Sequence, residues 1–73
     1  MLKGSREGVL VRVQPLSIHG QVSLDVHYRF EDDADGQVRV ARIGPESVSA
    51  ALEPGDRIRL EFLLGVVTSV TKA

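Results

Sequence analysis

Seventy-three residues, 42% of them hydrophobic, with a net charge of −1, describe one small globular domain rather than a disordered chain. Nine basic residues against ten acidic ones exclude the broad cationic field that non-specific nucleic-acid binding needs. The lack of cysteine excludes a disulfide framework, a thiolate nucleophile and a cysteine-ligated zinc.

Met1 to Glu7 is polar, lacks the apolar run of a signal peptide, and is expected to be a flexible N-terminus, with the folded domain spanning 8–73. No window approaches the ~20 apolar residues of a bilayer span, so a soluble cytoplasmic protein is expected. The first strand follows Gly8, with Val9, Val11 and Val13 on its core face. Pro15 ends that strand or places it at a sheet edge, because proline gives the ladder no donor. Gln21 to Phe30 is the clearest strand. There Val22, Leu24, Val26, Tyr28 and Phe30 alternate with Ser23, Asp25, His27 and Arg29.

Asp35-Gly36 is a favoured hairpin pair, and Gln37 to Ile43 reads as a third strand. Its alternation loses phase between Val40 and Ile43, which a bulge near Ala41 would reconcile. Gly44-Pro45 then opens a short helix, with Val48, Ala51 and Leu52 making a small apolar stripe. Pro54-Gly55-Asp56 suits a tight turn. Beyond it, Ile58, Leu60 and Phe62 alternate with Arg57, Arg59 and Glu61 in a fourth strand. Val66 to Thr71, rich in β-branched residues, is the fifth. Three strands, a short helix and two more strands predict an all-β fold. The expected form is a five-stranded OB-like barrel with the helix between strands three and four. An SH3-like barrel is the alternative.

Val40-Ala41-Arg42-Ile43-Gly44-Pro45-Glu46-Ser47-Val48, followed by Leu52-Glu53-Pro54-Gly55-Asp56-Arg57-Ile58, resembles the second half of TOBE domains and the related molbindins. The wider likeness covers most of residues 8–70. The resemblance implies an OB-like accessory domain that binds molybdate or a similar oxyanion, or that regulates a larger protein. The residues matching the family's anion-binding helix start are Ile43, Gly44 and Ser47. A helix N-terminus with free N–H groups and a serine hydroxyl suits an oxyanion. Pro45 departs from the pattern by removing one donor, and 62–67 lack the polar or basic residue often found before the family's last strand.

Other candidates come from the residues themselves. Arg12, Arg29, Arg39, Arg57 and Arg59 fall on expected outer faces and could serve an OB-type single-stranded nucleic-acid binder. That reading needs exposed aromatics, whereas Tyr28 and Phe30 share the core phase. Glu31-x-Asp33-x-Asp35-Gly36 imitates a calcium loop, but its twelfth position is Arg42, so a solvated acidic tip is the reading. His19 and His27 have no partner ligand at a metal-like spacing, and no metal or cofactor is expected. No serine sits in a nucleophile elbow, and an enzyme is not expected. Leu63-Leu64-Gly65 falls at an expected hairpin turn. Either the turn lies elsewhere and both leucines are core, or they form a contact patch for a second copy or another protein. The expected function is a non-catalytic binding module acting through self-association or a partner protein, with a small oxyanion as a candidate ligand.

Overall fold

A computed structural model describes residues 3–73. Five strands, β1 (Lys3–Ile18), β2 (Gln21–Phe30), β3 (Arg39–Ile43), β4 (Arg57–Leu63) and β5 (Val66–Lys72), form one antiparallel sheet in the order β3-β2-β1-β4-β5. A single 3-10 turn, Pro45–Ser47, separates β3 from β4. No helix among the described residues is long and apolar enough to cross a membrane.

The sheet is organised on β1. Its first half pairs with β4 (Lys3↔Leu63 to Val9↔Arg57) and its second half with β2 (Gly8↔Phe30 to Ile18↔Gln21). Lys3 to Glu7, expected to fray, are therefore strand residues; Met1 and Leu2 lie outside the described residues. The two pairings overlap at Gly8 and Val9, where the backbones crowd. A Cβ added at Gly8 would overlap the Arg29 carbonyl oxygen, so glycine permits the approach. The register then slips between Leu10 and Arg12, a bulge that leaves Val11 without a partner. This corrects the phase of β1. Gly8 and Leu10 face the core, and Val13, opposite Val26, returns to that face only beyond the bulge. Pro15 does not end the strand. It pairs with Leu24 on a stretch that has no other neighbour, so its missing N–H costs no ladder bond.

β2 has the phase expected of it, with Val26, Tyr28 and Phe30 buried, although Val22 near the hairpin end is exposed. β3 is shorter than expected and contains no bulge. It runs in unbroken register from Leu24↔Ile43 to Tyr28↔Arg39. Arg39, Ala41 and Ile43 therefore share the core face, and Val40 points outward. The expected helix is only the 3-10 turn. Val48 returns to extended geometry (φ −123°, ψ 129°) and bridges Val70 in parallel, and the Ser49 N–H donates to the Val70 carbonyl at 2.9 Å. β-branched Val48 suits that extended role better than a helix. Val48 and Leu52 still pack on the core, while Ala51 is exposed with φ 63°.

Glu53-Pro54-Gly55-Asp56 makes the expected turn. Gly55 has φ 94°, and the Asp56 N–H closes the turn on the Glu53 carbonyl at 3.0 Å. The turn docks on β1 through Gly55 N–H to the Leu10 carbonyl (2.8 Å) and Leu10 N–H to the Asp56 carbonyl (2.9 Å). Between β2 and β3 there is an irregular loop instead of a two-residue hairpin at Asp35-Gly36. Gly36 N–H donates to the Asp33 carbonyl, and the Asp33 carboxylate accepts from the Asp35 N–H.

Leu10, Val26, Tyr28, Phe30, Ile43, Ile58, Leu60 and Val70 form the core. β3 and β5, at opposite ends of the strand order, curl into contact with each other. No ladder joins them, and among the described residues the backbone bridge to β5 from that side comes from Val48, beyond the end of β3. The sheet is not closed, and a seam is left along one flank.

Candidate functional site

The start of the 3-10 turn is poorly built for an anion. Ile43 is buried in the core, and the N-cap position is Gly44, which has no side chain to offer an anion. The Ser47 and Val48 N–H groups already donate to the carbonyls of Gly44 and Pro45, at 3.0 and 3.3 Å. The Glu46 carboxylate lies against Gly44, so negative charge already occupies the space an oxyanion would take. Three residues of 3-10 geometry also supply little of the dipole that a long helix would offer.

The five candidate arginines divide between the two faces of the sheet, and two of the four outer ones are already paired. On β4, Arg57 Nη2 reaches Glu31 Oε2 at 2.8 Å and Glu7 Oε1 at 3.1 Å, and Arg59 Nη2 lies 3.5 Å from Glu7 Oε2. The hydrogen bond that Arg57 donates to Glu31, with added attraction from Glu31 and Glu7, holds the guanidinium more firmly in its charged form. Arg39 lies on the core-facing side of β3, its Cζ 5.1 Å from the Phe30 ring centroid, while Arg6 covers the same ring at 3.5 Å. Arg12, opposite His27, and Arg29 and Arg57, which flank Val9 across β1, lie on the outer face as expected, as does Arg59 opposite Glu7. Of these, Arg57 and Arg59 are already paired with acids. All three aromatic rings lie on the opposite, inner face. The rings are thus on the face opposite Arg12 and Arg29, and the two cations that share their face, Arg6 and Arg39, already cover Phe30. The hollow beside Arg6, Glu7, Glu31 and Asp32 is lined by groups already engaged with one another, since Arg6 Nη2 also meets Asp32 Oδ1 at 2.8 Å.

Apolar surface is concentrated elsewhere. β4 and β5 are joined by a two-residue turn, Leu64-Gly65, with φ of 54° and 79°. That pair of positive values marks a type I′ turn, which favours Asn or Gly at its first position. A leucine there is strained by roughly 1–2 kcal/mol. The leucines are not core: Leu63 is 42% and Leu64 67% exposed, and Val66 beside them is 64% exposed. Across the seam, Val40 of β3 is 56% exposed.

Between Val40 and Val66 runs a groove of about 300 Å3, walled by Val40, Ala41 and Arg42 on one side and Gly65, Val66 and Val67 on the other, with Tyr28 and Phe62 also lining it. Arg42, the charged side chain on its wall, is tied to Asp25 (Nε to Oδ1, 2.9 Å), which holds the Asp25 carboxyl below its ordinary range. Burial pushes the Tyr28 phenol up, against smaller opposing effects of Arg39 and Arg6. Such a groove can take an apolar side chain between Val40 and Val66.

Sequence reasoning located Leu63 and Leu64 but missed Val40, Val66 and the groove between them. Reading β3 without a bulge would have turned Val40 outward. The meeting of β3 with β5 leaves no local signal. No family model, curated protein or solved structure matches this chain.

Proposed function

We propose that this chain is a small non-catalytic interaction module, an OB-like barrel left open on one side, which engages a partner through the seam between β3 and β5. The strand order, with β1 between β2 and β4 and a short turn between β3 and β4, supports the OB-like reading over the SH3-like one. With no cysteine the module needs no oxidising compartment to fold, which is compatible with a cytoplasmic setting.

One observation carries the functional reading: Val40 and Val66 are exposed on the walls of a groove lined also by Tyr28 and Phe62, and the exposed Leu63-Leu64 pair adjoins it through Gly65. Apolar side chains gathered on a concave surface are a recurring mark of interaction sites. The TOBE-like oxyanion role is weakened by Glu46 at Gly44. The nucleic-acid role is weakened by the ion pairing of Arg57 and Arg59.

The test is an NMR shift titration of dilute labelled protein with indole as an apolar probe, then molybdate, then a short single-stranded DNA. Saturable indole shifts at Tyr28, Val40, Phe62 and Val66, with no saturable response to the two anions, are the expected result. Molybdate shifts confined to 43–48, or salt-sensitive DNA shifts at Arg12 and Arg29, would overturn it.

A further inference from the structure

We propose that the partner is a second copy of this chain, in a two-fold dimer where the Leu64 tip of each copy seats in the other's β3–β5 groove. This rests on the seam being the interaction surface and adds what occupies it.

The first argument is surface area. A folded monomer of 7.9 kDa is expected to expose roughly 4,400 Å2, whereas this chain exposes 4977 Å2. Covering that excess on both copies removes about 1,000 Å2, which is the lower limit for a specific interface. The second is shape. The tip is an exposed leucine, and the groove is a mixed concave surface in which Val40, Phe62, Val66 and Val67 offer apolar contacts beside Tyr28 and Arg42. The two adjoin, since Gly65 and Val66 also form the groove wall. Adjacent, complementary surfaces allow both contacts to close about one two-fold axis, as an isologous interface requires.

The third is charge. Arg42 on the groove wall is neutralised by Asp25, so the groove offers no free charge with which to select an acidic or basic partner. A net charge of −1 leaves two copies almost without mutual repulsion. Leu64 also holds a left-handed position that the turn would rather give to Asn. The tip and the turn therefore make opposite demands on this residue, and one substitution separates them.

The experiment is sedimentation velocity from about 5 μM to 1 mM on the full chain and three variants, with thermal unfolding of each at the lowest concentration. The native chain is expected to dimerise reversibly and weakly, as an interface near about 1,000 Å2 implies. Leu64→Asn should weaken association about tenfold or more while raising the unfolding temperature of the dilute protein. Val40→Thr, on the groove side, should weaken association several-fold. Ile18→Thr, exposed on the distant β1–β2 hairpin, should leave it unchanged.

A chain that stays monomeric to 1 mM would overturn the dimer, and seam shifts with indole would still leave the interaction surface standing. A dimer broken by Ile18→Thr but untouched by Leu64→Asn and Val40→Thr would also overturn it, by placing the contact on the hairpin arm.

Discussion

Gly8→Ala isolates the tightest constraint in the sheet. At Gly8 the central strand pairs with Phe30 on one side and Ile58 on the other, so β1 cannot move away from either neighbour without disturbing the other ladder. An added methyl would overlap the Arg29 carbonyl oxygen and lie 3.3 Å from Leu60 Cδ1. The first obstacle is backbone and cannot rotate aside. Overpacking of this kind costs about 1–3 kcal/mol, and the absence of a free side places Gly8 toward the upper part of that range. Lower entropy in the unfolded chain returns about 0.4–1 kcal/mol. The net expectation is a loss of about 2 kcal/mol, a fall in melting temperature of roughly 8–16 °C for a domain of this size.

Gly4→Ala on the same strand is the control. No atom lies within 4 Å of the added Cβ, so that variant should be neutral or slightly more stable. Urea unfolding followed by circular dichroism measures both. A Gly8→Ala loss below about 0.5 kcal/mol, or an equal loss in Gly4→Ala, would refute the close-approach argument.

Tyr28 is the only tyrosine, so absorbance near 295 nm during an alkaline titration reports it alone. Burial keeps the phenol protonated in the fold, so its midpoint should lie above the ordinary value of about 10. The associated stability is complete below the unfolded midpoint and is lost as pH rises through the raised folded one; an ordinary midpoint would contradict its placement. Asp25 should titrate below the usual carboxylate range because Arg42 donates to it. Its contribution is present above the unfolded pKa and is lost as pH falls through the folded one. Arg42→Gln should move the carboxyl carbon's NMR titration back upward, and no movement would show that the pair does not form in solution. Hydrogen exchange reports on the first residues. The amides of Lys3 to Glu7 that bond to β4 should be protected, and exchange at random-coil rates throughout would restore the frayed end expected from sequence.

What could be read in advance depended on whether apolar residues occupied one face or both. β2 and β4 alternate cleanly, and Val26, Tyr28, Phe30, Ile58 and Leu60 are buried as the period of two requires. Val9-Leu10-Val11 is apolar on both faces, so its phase was ambiguous, and the bulge at Val11 hid the role of Leu10. In β3 the reverse happened. Outward Val40 and inward-facing Arg39 imitated a broken phase, and a bulge was placed where the ladder is regular. Polar Lys3 to Glu7 carry no alternation, and their strand state comes from pairing with β4 more than fifty residues away.

The candidate site divides along the same line. Two leucines beside a turn glycine are visible as a local anomaly. The groove needs β3 and β5 to meet from opposite ends of the strand order. The ion pairs that engage Arg57 link it to Glu7 and Glu31, 50 and 26 residues away, and are equally invisible to local patterns.

The claim that this molecule works through its open seam is tested most directly by mixing isotope-labelled with unlabelled protein near 1 mM and recording intermolecular NOEs. Contacts from the Leu64 methyls of one copy to Val40, Tyr28 or Phe62 of the other are the result this account predicts. Contacts confined to the β1–β2 hairpin, or a complete absence of intermolecular contacts involving Leu64, would contradict it.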